Sequence, residues 1–174
     1  MFLKFTLLAE RFPLIKGILF LSQFLPLLLL VILFCLTFRR DFYQKVLIFG
    51  LLTLSLIISA GIITETIRFF YYSPRPFVTL NIPPLIAVSK SNSFPSRHVS
   101  FWFPVSLLIF FLNKRWGIFS FLIVFLMGLS RVAIGAHWIV DILGGFLVGG
   151  LGFWLALKIL PKVYYKVIHS PAKV

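Results

Sequence analysis

The sequence predicts an all-α integral membrane protein, a bundle of five transmembrane helices with a short interfacial helix at its N-terminus. Three observations carry that reading. Hydrophobic residues make up 60% of the 174, Phe alone supplies 22, and the mean hydropathy of +1.06 lies above that of ordinary soluble domains. Charged residues are only 12% of the chain and fall in short blocks between long apolar runs. Among them 17 Lys and Arg stand against 4 Asp and Glu, a net charge of +13. Placed between apolar runs, this excess fits membrane flanks and anionic head groups, not a nucleic-acid partner. The lone Cys35 sits inside an apolar run, which excludes a disulfide within the chain.

Residues 1–16 are too short and mixed to cross a bilayer, since a spanning helix needs roughly 20 mostly apolar residues. They read as an interfacial helix. Lys4 and Glu10-Arg11 interrupt them and no small-residue cleavage site follows, which argues against a signal peptide. Residues 17–38 read as the first span, kinked at Pro26. Arg39-Arg40-Asp41 to Lys45 form a basic turn, and residues 46–64 an uncharged second span. Beyond Glu65 and Arg68, a connection rich in proline (Pro74, Pro76, Pro83, Pro84, Pro95) should be non-helical. Residues 99–112 are the third span, Asn113-Lys114-Arg115 a tight basic turn, residues 116–130 the fourth span and residues 138–160 the fifth. The chain reads as one domain: interfacial helix 1–16, bundle 17–160 and basic cytoplasmic tail 161–174. Gly144, Gly145, Gly149, Gly150 and Gly152 suit close packing of the last span.

Tracing these spans puts Arg68, Arg75, Arg97, His98, Arg131, His137 and Asp141 on one side. A charge well inside a bilayer costs at least ~2.5–3.5 kcal/mol, so ionisable groups there are paired or line a wet cavity. The opposite side carries Arg39, Arg40, Lys45, Lys114, Arg115, Lys158, Lys162, Lys166 and Lys173, 9 of the 17 basic residues. The positive-inside rule makes that side cytoplasmic, so the cluster faces outward.

The densest chemistry lies in Ser130-Arg131-Val132-Ala133-Ile134-Gly135-Ala136-His137-Trp138-Ile139-Val140-Asp141. His137 and Asp141 are four apart and share a helix face, so the carboxylate can hold one ring nitrogen and leave the other as base or nucleophile. Arg131 and Ser130 offer a guanidinium fork and a hydroxyl that suit phosphate oxygens. Arg131 and His137 would diverge on a continuous helix, and Gly135-Ala136 supplies the break between them. Arg68 and Arg75 stand around a helix exit. Pro95-Ser96 leads into a helix whose free N–H groups favour an anion, with Ser96 as its cap and His98 on its first turn. Each feature has a structural alternative: a buried His–Asp pair, arginines anchored to head groups, or Arg97 snorkelling to lipid phosphate. Glu65, three residues before Arg68, reads as its ion-pair partner.

Together these three blocks resemble the type 2 phosphatidic acid phosphatase superfamily of lipid phosphate phosphatases. Its pattern is a basic residue, six others and Arg-Pro; then Pro-Ser-Gly-His; then Ser-Arg, five others, His, three others and Asp. Residues 68–76 match the first block with Arg68 in place of the usual Lys. Residues 95–98 match the second with Arg97 in place of Gly, and residues 130–141 match the third completely. Pro74-Arg75-Pro76-Phe77, Ser93-Phe94-Pro95-Ser96 and Asp141-Ile142-Leu143-Gly144-Gly145 are most similar to bacterial undecaprenyl-diphosphatases of the bacitracin-resistance type. The resemblance implies a phosphohistidine at His137, tautomer control by Asp141 and a general acid and base at His98. It implies phosphate contacts from Arg68, Arg75, Ser96, Ser130 and Arg131; Arg97, which departs from the family's Gly, is expected from its own charge to contact the second phosphate of a diphosphate. No metal or cofactor is required; Glu10, Asp41 and Glu65 form no cluster with Asp141. The implied partners are a lipid phosphate or diphosphate and the surrounding membrane lipids, with undecaprenyl diphosphate as the substrate. Alternatives are phosphatidylglycerophosphate, phosphatidate or lipid A phosphatases, or a non-catalytic transporter or lipid-binding scaffold.

Overall fold

The computed structural model describes Gly17 and residues 23–81 and 92–163. The expected interfacial helix and nearly all of the basic tail lie outside the described residues. Among those described, every regular element is helical. The order is α1 (Leu27–Phe38), α2 (Phe42–Leu56), a π-helical segment (Ile57–Ile63), α3 (Thr64–Phe70), the short α4 (Pro76–Thr79), α5 (Arg97–Leu112), α6 (Lys114–Ala133), α7 (Ile139–Ile159) and the single turn α8 (Pro161–Val163).

Element edges depart from the sequence expectation where local hydrogen bonds decide them. Pro26 is the N-cap of α1, and the helix is interrupted by a turn at residues 25–26, with residues 23–24 helical just before it. Asp41 is the N-cap of α2, accepting the Gln44 N–H at 2.8 Å, so the basic turn ends there and Lys45 is already helical. Asn113 caps α6 in the same way through the Trp116 N–H, which places Lys114 and Arg115 inside the helix. Residues 42–70 form one continuous rod, so the second span runs on past residue 64 and carries Glu65 and Arg68 on its last turns. The described part of the proline-rich connection contains one helical turn, α4, started by Pro76 at a position where its missing N–H is harmless.

Among the described residues, three helices are long and apolar enough to cross a membrane: the Phe42–Phe70 rod, α6 and α7. α1 and α5 are apolar but shorter. α5 lies at the centre, packed chiefly on α6 and α7, while α7 leans on the rod. Val99, Val105, Leu108 and Ile109 of α5 meet Ile48, Leu51, Val124, Met127 and Ala156 in the buried core. Large apolar side chains such as Phe34, Phe69, Ile118 and Leu147 face outward, where a bilayer would cover them.

The glycines of α7 set how closely it seats. A methyl at Gly145 would sit 2.7 Å from Val99 Cβ and 3.1 Å from the Ser96 carbonyl oxygen. One at Gly152 would meet the backbone N of Ser59 in the π-helical segment at 2.8 Å. Gly150 meets only an ordinary contact with Phe103, so it does not share that role. Close approach at Gly145 holds the start of α7 against the start of α5.

Candidate active site

The site begins at the C-terminus of α6. Gly135 adopts φ +72°, its N–H bonds Val132 O at 3.0 Å and the Ala136 N–H bonds Arg131 O at 3.0 Å. This is a Schellman termination, with glycine at the left-handed position. The His137 N–H reaches the same Arg131 carbonyl at 3.2 Å. The chain thus folds back over the last turn of α6, and Arg131 and His137, six apart in sequence, are buried at one place. Space does not demand glycine here, for the nearest atoms to an added methyl lie 3.8 Å away in Phe77; the backbone angle does.

Trp138 then caps α7, and Asp141, in its first turn, turns back. Asp141 Oδ2 accepts the Trp138 N–H at 2.8 Å and lies 3.3 Å from His137 Nδ1. A carboxylate there holds the proton on Nδ1 and leaves the lone pair on Nε2. Nε2 faces Arg75 Nη1 at 3.5 Å, and that same Nη1 donates to the Ala136 carbonyl at 2.8 Å. Burial pulls the His137 imidazole below the ordinary histidine range, partly opposed by its bond to Asp141, so the ring is neutral at pH 7. Burial, followed by the neighbouring Arg68 charge, pushes Arg75 down to about 10, which still leaves it cationic.

The other elements are tied to this centre through backbone groups. The Ser96 N–H donates to Asp141 O at 3.0 Å, bringing the N-terminus of α5, with His98 on its first turn, to the same end of the bundle as His137. The Phe77 N–H bonds Gly135 O at 3.1 Å, and Trp138 Nε1 bonds Pro74 O at 3.0 Å. Trp138 is therefore a brace between segments, a role its sequence position did not reveal. Arg68, on α3, donates through Nη1 to Pro95 O at 3.1 Å and through Nη2 to Asn92 O.

Buried polar atoms at this end without a partner among the described residues include Ser96 Oγ, Ser100 Oγ one turn further along α5, and Arg131 Nε. Ser96 occupies the N-cap position of α5 but makes no side-chain cap bond, contrary to the sequence expectation, so its hydroxyl remains available. Ser130 differs. Its hydroxyl donates to Met127 O at 2.6 Å, one turn back, and so offers no proton to an anion. Arg97 also departs from expectation. Its fork grips Glu65 through Nε–Oε1 at 2.6 Å and Nη2–Oε2 at 2.5 Å, so Glu65 pairs across helices with Arg97 and not with Arg68 on its own helix. The remaining described carboxylate, Asp41, is at the opposite end, capping α2.

Sequence reasoning overlooked Asn92. This side chain accepts from the Ser73 N–H at 2.9 Å and the Phe94 N–H at 3.3 Å, and donates to Arg68 O at 3.0 Å and to Tyr71 O. Beside it, Ser93 bonds Ser73 twice, N–H to carbonyl at 2.8 Å and hydroxyl to hydroxyl at 3.0 Å. The only available signal was a polar Asn-Ser pair just ahead of Phe94-Pro95. Two cavities flank the cluster. One of about 590 Å³ is lined by Tyr71, Ser73, Phe94, Trp138, Val140 and Asp141, and one of about 340 Å³ by Ala60, Arg97, His98, Phe101 and Trp102.

The sequence pattern of the PAP2 superfamily matches residues 49–165, which contain all of these groups. The chain belongs to the PAP2 superfamily. Its relatives include the bacitracin transport permease protein BcrC of Bacillus licheniformis, 34% identical over 113 residues, 57% of this chain and 56% of that one. Undecaprenyl-diphosphatase BcrC of Bacillus subtilis is 34% identical over 91 residues, 52% and 47% of the two chains. The putative undecaprenyl-diphosphatase YbjG of Escherichia coli is 32% identical over 129 residues, 73% and 62%. The matches thus span about half the length of the first two relatives. Among solved structures, a transmembrane PAP2-type phosphatidylglycerolphosphate phosphatase from Bacillus subtilis aligns with a TM-score of 0.58 and 25% identity, over 86% of this chain and 76% of that one. The PAP2 match covers the arginine-bearing helix exit, the start of α5 and the His137 turn together, the same three segments that the sequence blocks define.

Proposed function

We propose that this chain is a metal-independent lipid phosphatase that hydrolyses undecaprenyl diphosphate to undecaprenyl phosphate and inorganic phosphate through a phosphohistidine. The observation that carries the reading is His137, with its Nδ1 on a buried carboxylate and its Nε2 directed at a guanidinium. A ring held in that tautomer by Asp141 is a nucleophile, and Arg75 is placed to draw a phosphoryl group toward it.

In the first step Nε2 attacks phosphorus while the bond to the leaving lipid phosphate oxygen breaks, with His98 supplying the proton that oxygen needs. The phosphorylated ring is cationic, and Asp141 offsets that charge. Arg68, Arg75 and Arg131, with Ser96 and the N–H groups at the start of α5, hold the equatorial oxygens. In the second step His98 accepts a proton from water, whose oxygen attacks phosphorus and releases His137. Ser130 and Arg97 are left out of this ring, because one hydroxyl is bonded within its helix and one fork is bonded to Glu65.

The reading includes five spans, adding α1 and α5 to the three long helices, within a single domain. It sets the site at the outer face of the plasma membrane, with Arg39, Arg40, Lys45, Lys114 and Arg115 on the cytoplasmic side. The test is phosphate release in detergent with EDTA from undecaprenyl diphosphate, phosphatidylglycerophosphate and phosphatidate, compared with His137→Ala. The expected result is EDTA-resistant release, fastest from undecaprenyl diphosphate and abolished by the substitution. Faster release from phosphatidylglycerophosphate would transfer the assignment to a phosphatidylglycerolphosphate phosphatase, like the structural relative from Bacillus subtilis. No release from any lipid phosphate would favour a transport permease, the role for which the Bacillus licheniformis relative is named.

A further inference from the structure

We propose that Asn92 is the positioning residue that sets the spacing and aim of Arg68 and Arg75, so that the phosphoryl pocket is assembled around one side-chain amide. The inference rests on the phosphate-binding role given to those arginines above, but its test does not require turnover.

An asparagine side chain has two N–H donors and an oxygen with two lone pairs. In Asn92 all four places are filled. The donors go to Arg68 O and Tyr71 O, and the oxygen accepts from the Ser73 and Phe94 N–H groups. Arg68 and Tyr71 belong to the exit of α3, where carbonyls have no partner within the helix. The amide thus closes the end of the rod and, in the same act, fixes the course of residues 71–75 toward Arg75. The Asn92 backbone carbonyl takes Nη2 of both arginines, Arg68 closely and Arg75 at 3.5 Å. Two guanidinium groups repel, and a carbonyl dipole shared between them offsets part of that repulsion. Each fork carries five N–H groups, enough to hold this carbonyl and an anion together. Asn92 is 8% exposed and its bonds are to protein, so it acts through the arginines.

No other residue type fits the same four bonds. Aspartate has the shape but neither donor, and it adds a charge that would draw the guanidinium groups off the anion. Glutamine moves the amide outward by a methylene, and alanine abandons two carbonyls and two N–H groups. Unlike Ser96 or Arg131, Asn92 has no unused group to offer a ligand, which separates positioning from direct contact.

The experiment measures binding of orthovanadate to the detergent-solubilised full chain by titration calorimetry, alongside kcat and KM. Asn92→Ala and Asn92→Asp should weaken vanadate binding roughly 10–100-fold, the range seen when groups that orient ligating side chains are removed. In an Arg75→Ala background Asn92→Ala should cost less than about 3-fold more, because groups acting through one another are not additive. Asn113→Ala removes a helix-capping asparagine at the other end; it should lower thermal stability and leave vanadate affinity unchanged. Vanadate affinity unaltered in both Asn92 variants, or losses fully additive with Arg68→Ala and Arg75→Ala, would overturn the proposal. If Asn92→Ala does not fold, Asn92→Gln, which keeps the amide neutral and moves it by one methylene, decides the question. A wild-type chain that binds vanadate yet hydrolyses no lipid phosphate sinks the enzyme reading, while the vanadate comparison still decides the role of Asn92.

Discussion

Asp141→Asn keeps the shape of the side chain and removes one charge. Asp141 Oδ2 lies 3.3 Å from His137 Nδ1 and both groups are buried. When Nε2 becomes phosphorylated the ring turns cationic, and at that distance with an effective dielectric near 20 the attraction is about 5 kcal/mol. The amide still offers an oxygen to the Trp138 and Nδ1 N–H groups, so part of the interaction survives. If roughly half to three-quarters of it is lost, kcat falls about 10²–10³-fold at 1.36 kcal/mol per decade. KM should move little, because the charge it stabilises develops only as phosphorus is attacked. The assay is initial-rate phosphate release from the preferred lipid substrate in detergent, with folding checked by thermal unfolding. A well-folded Asp141→Asn protein within 5-fold of wild-type kcat would refute the argument that the carboxylate supports a charged His137.

The acid limb of kcat/KM should lie below pH 6.5: burial lowers the His137 pKa, so the ring stays neutral and nucleophilic further into acid, and activity falls only as pH drops through that lowered value. Removing the carboxylate at residue 141 withdraws a factor that raises this pKa, so a pH–rate profile of the variant should show the limb shifted further down. Ser96→Ala should weaken vanadate inhibition about 10-fold, and Ser130→Ala, whose hydroxyl is bonded to Met127 O, far less; equal losses would return Ser130 to the phosphate site. Gly135→Ala forces an alanine to φ +72° at a cost of ~1–2 kcal/mol, measurable in thermal unfolding and accompanied by a fall in kcat as His137 shifts. Arg97→Gly and Glu65→Gln break a half-exposed ion pair worth roughly 0–1 kcal/mol, and should change the ratio of diphosphate to monophosphate hydrolysis less than 2-fold; a 10-fold change would restore the contact between Arg97 and the second phosphate.

Much of this was legible in the chain because bilayer chemistry leaves few choices. Long apolar runs must be helices, and charges at their ends must find one another. His137 and Asp141 four apart could be read as a pair, and Gly135 as a break, since each depends on local geometry alone. Other features escaped because they depend on groups distant in sequence. Whether Glu65 prefers Arg68 on its own helix or Arg97, 32 residues away, is decided by how α5 seats against the rod. Ser130 and Ser96 both preceded a basic residue in a motif, yet one hydroxyl falls into its own helix and the other is left without a partner. Asn92 carries no motif of its own; its role appears only once Tyr71, Ser73 and Phe94 are seen around it. The ends of α2 and α6 moved because single caps, Asp41 and Asn113, decide where a helix starts more sharply than charge blocks do.

The most direct measurement is to mix the protein with lipid diphosphate labelled in its terminal phosphate, quench in the steady state and locate the label by peptide mass spectrometry. The account expects a base-stable, acid-labile phosphate on His137, absent from His137→Ala and accumulating in His98→Ala, where water attack is slowed. Label on any other residue, or rapid turnover with no phosphoenzyme in either wild type or His98→Ala, would contradict it.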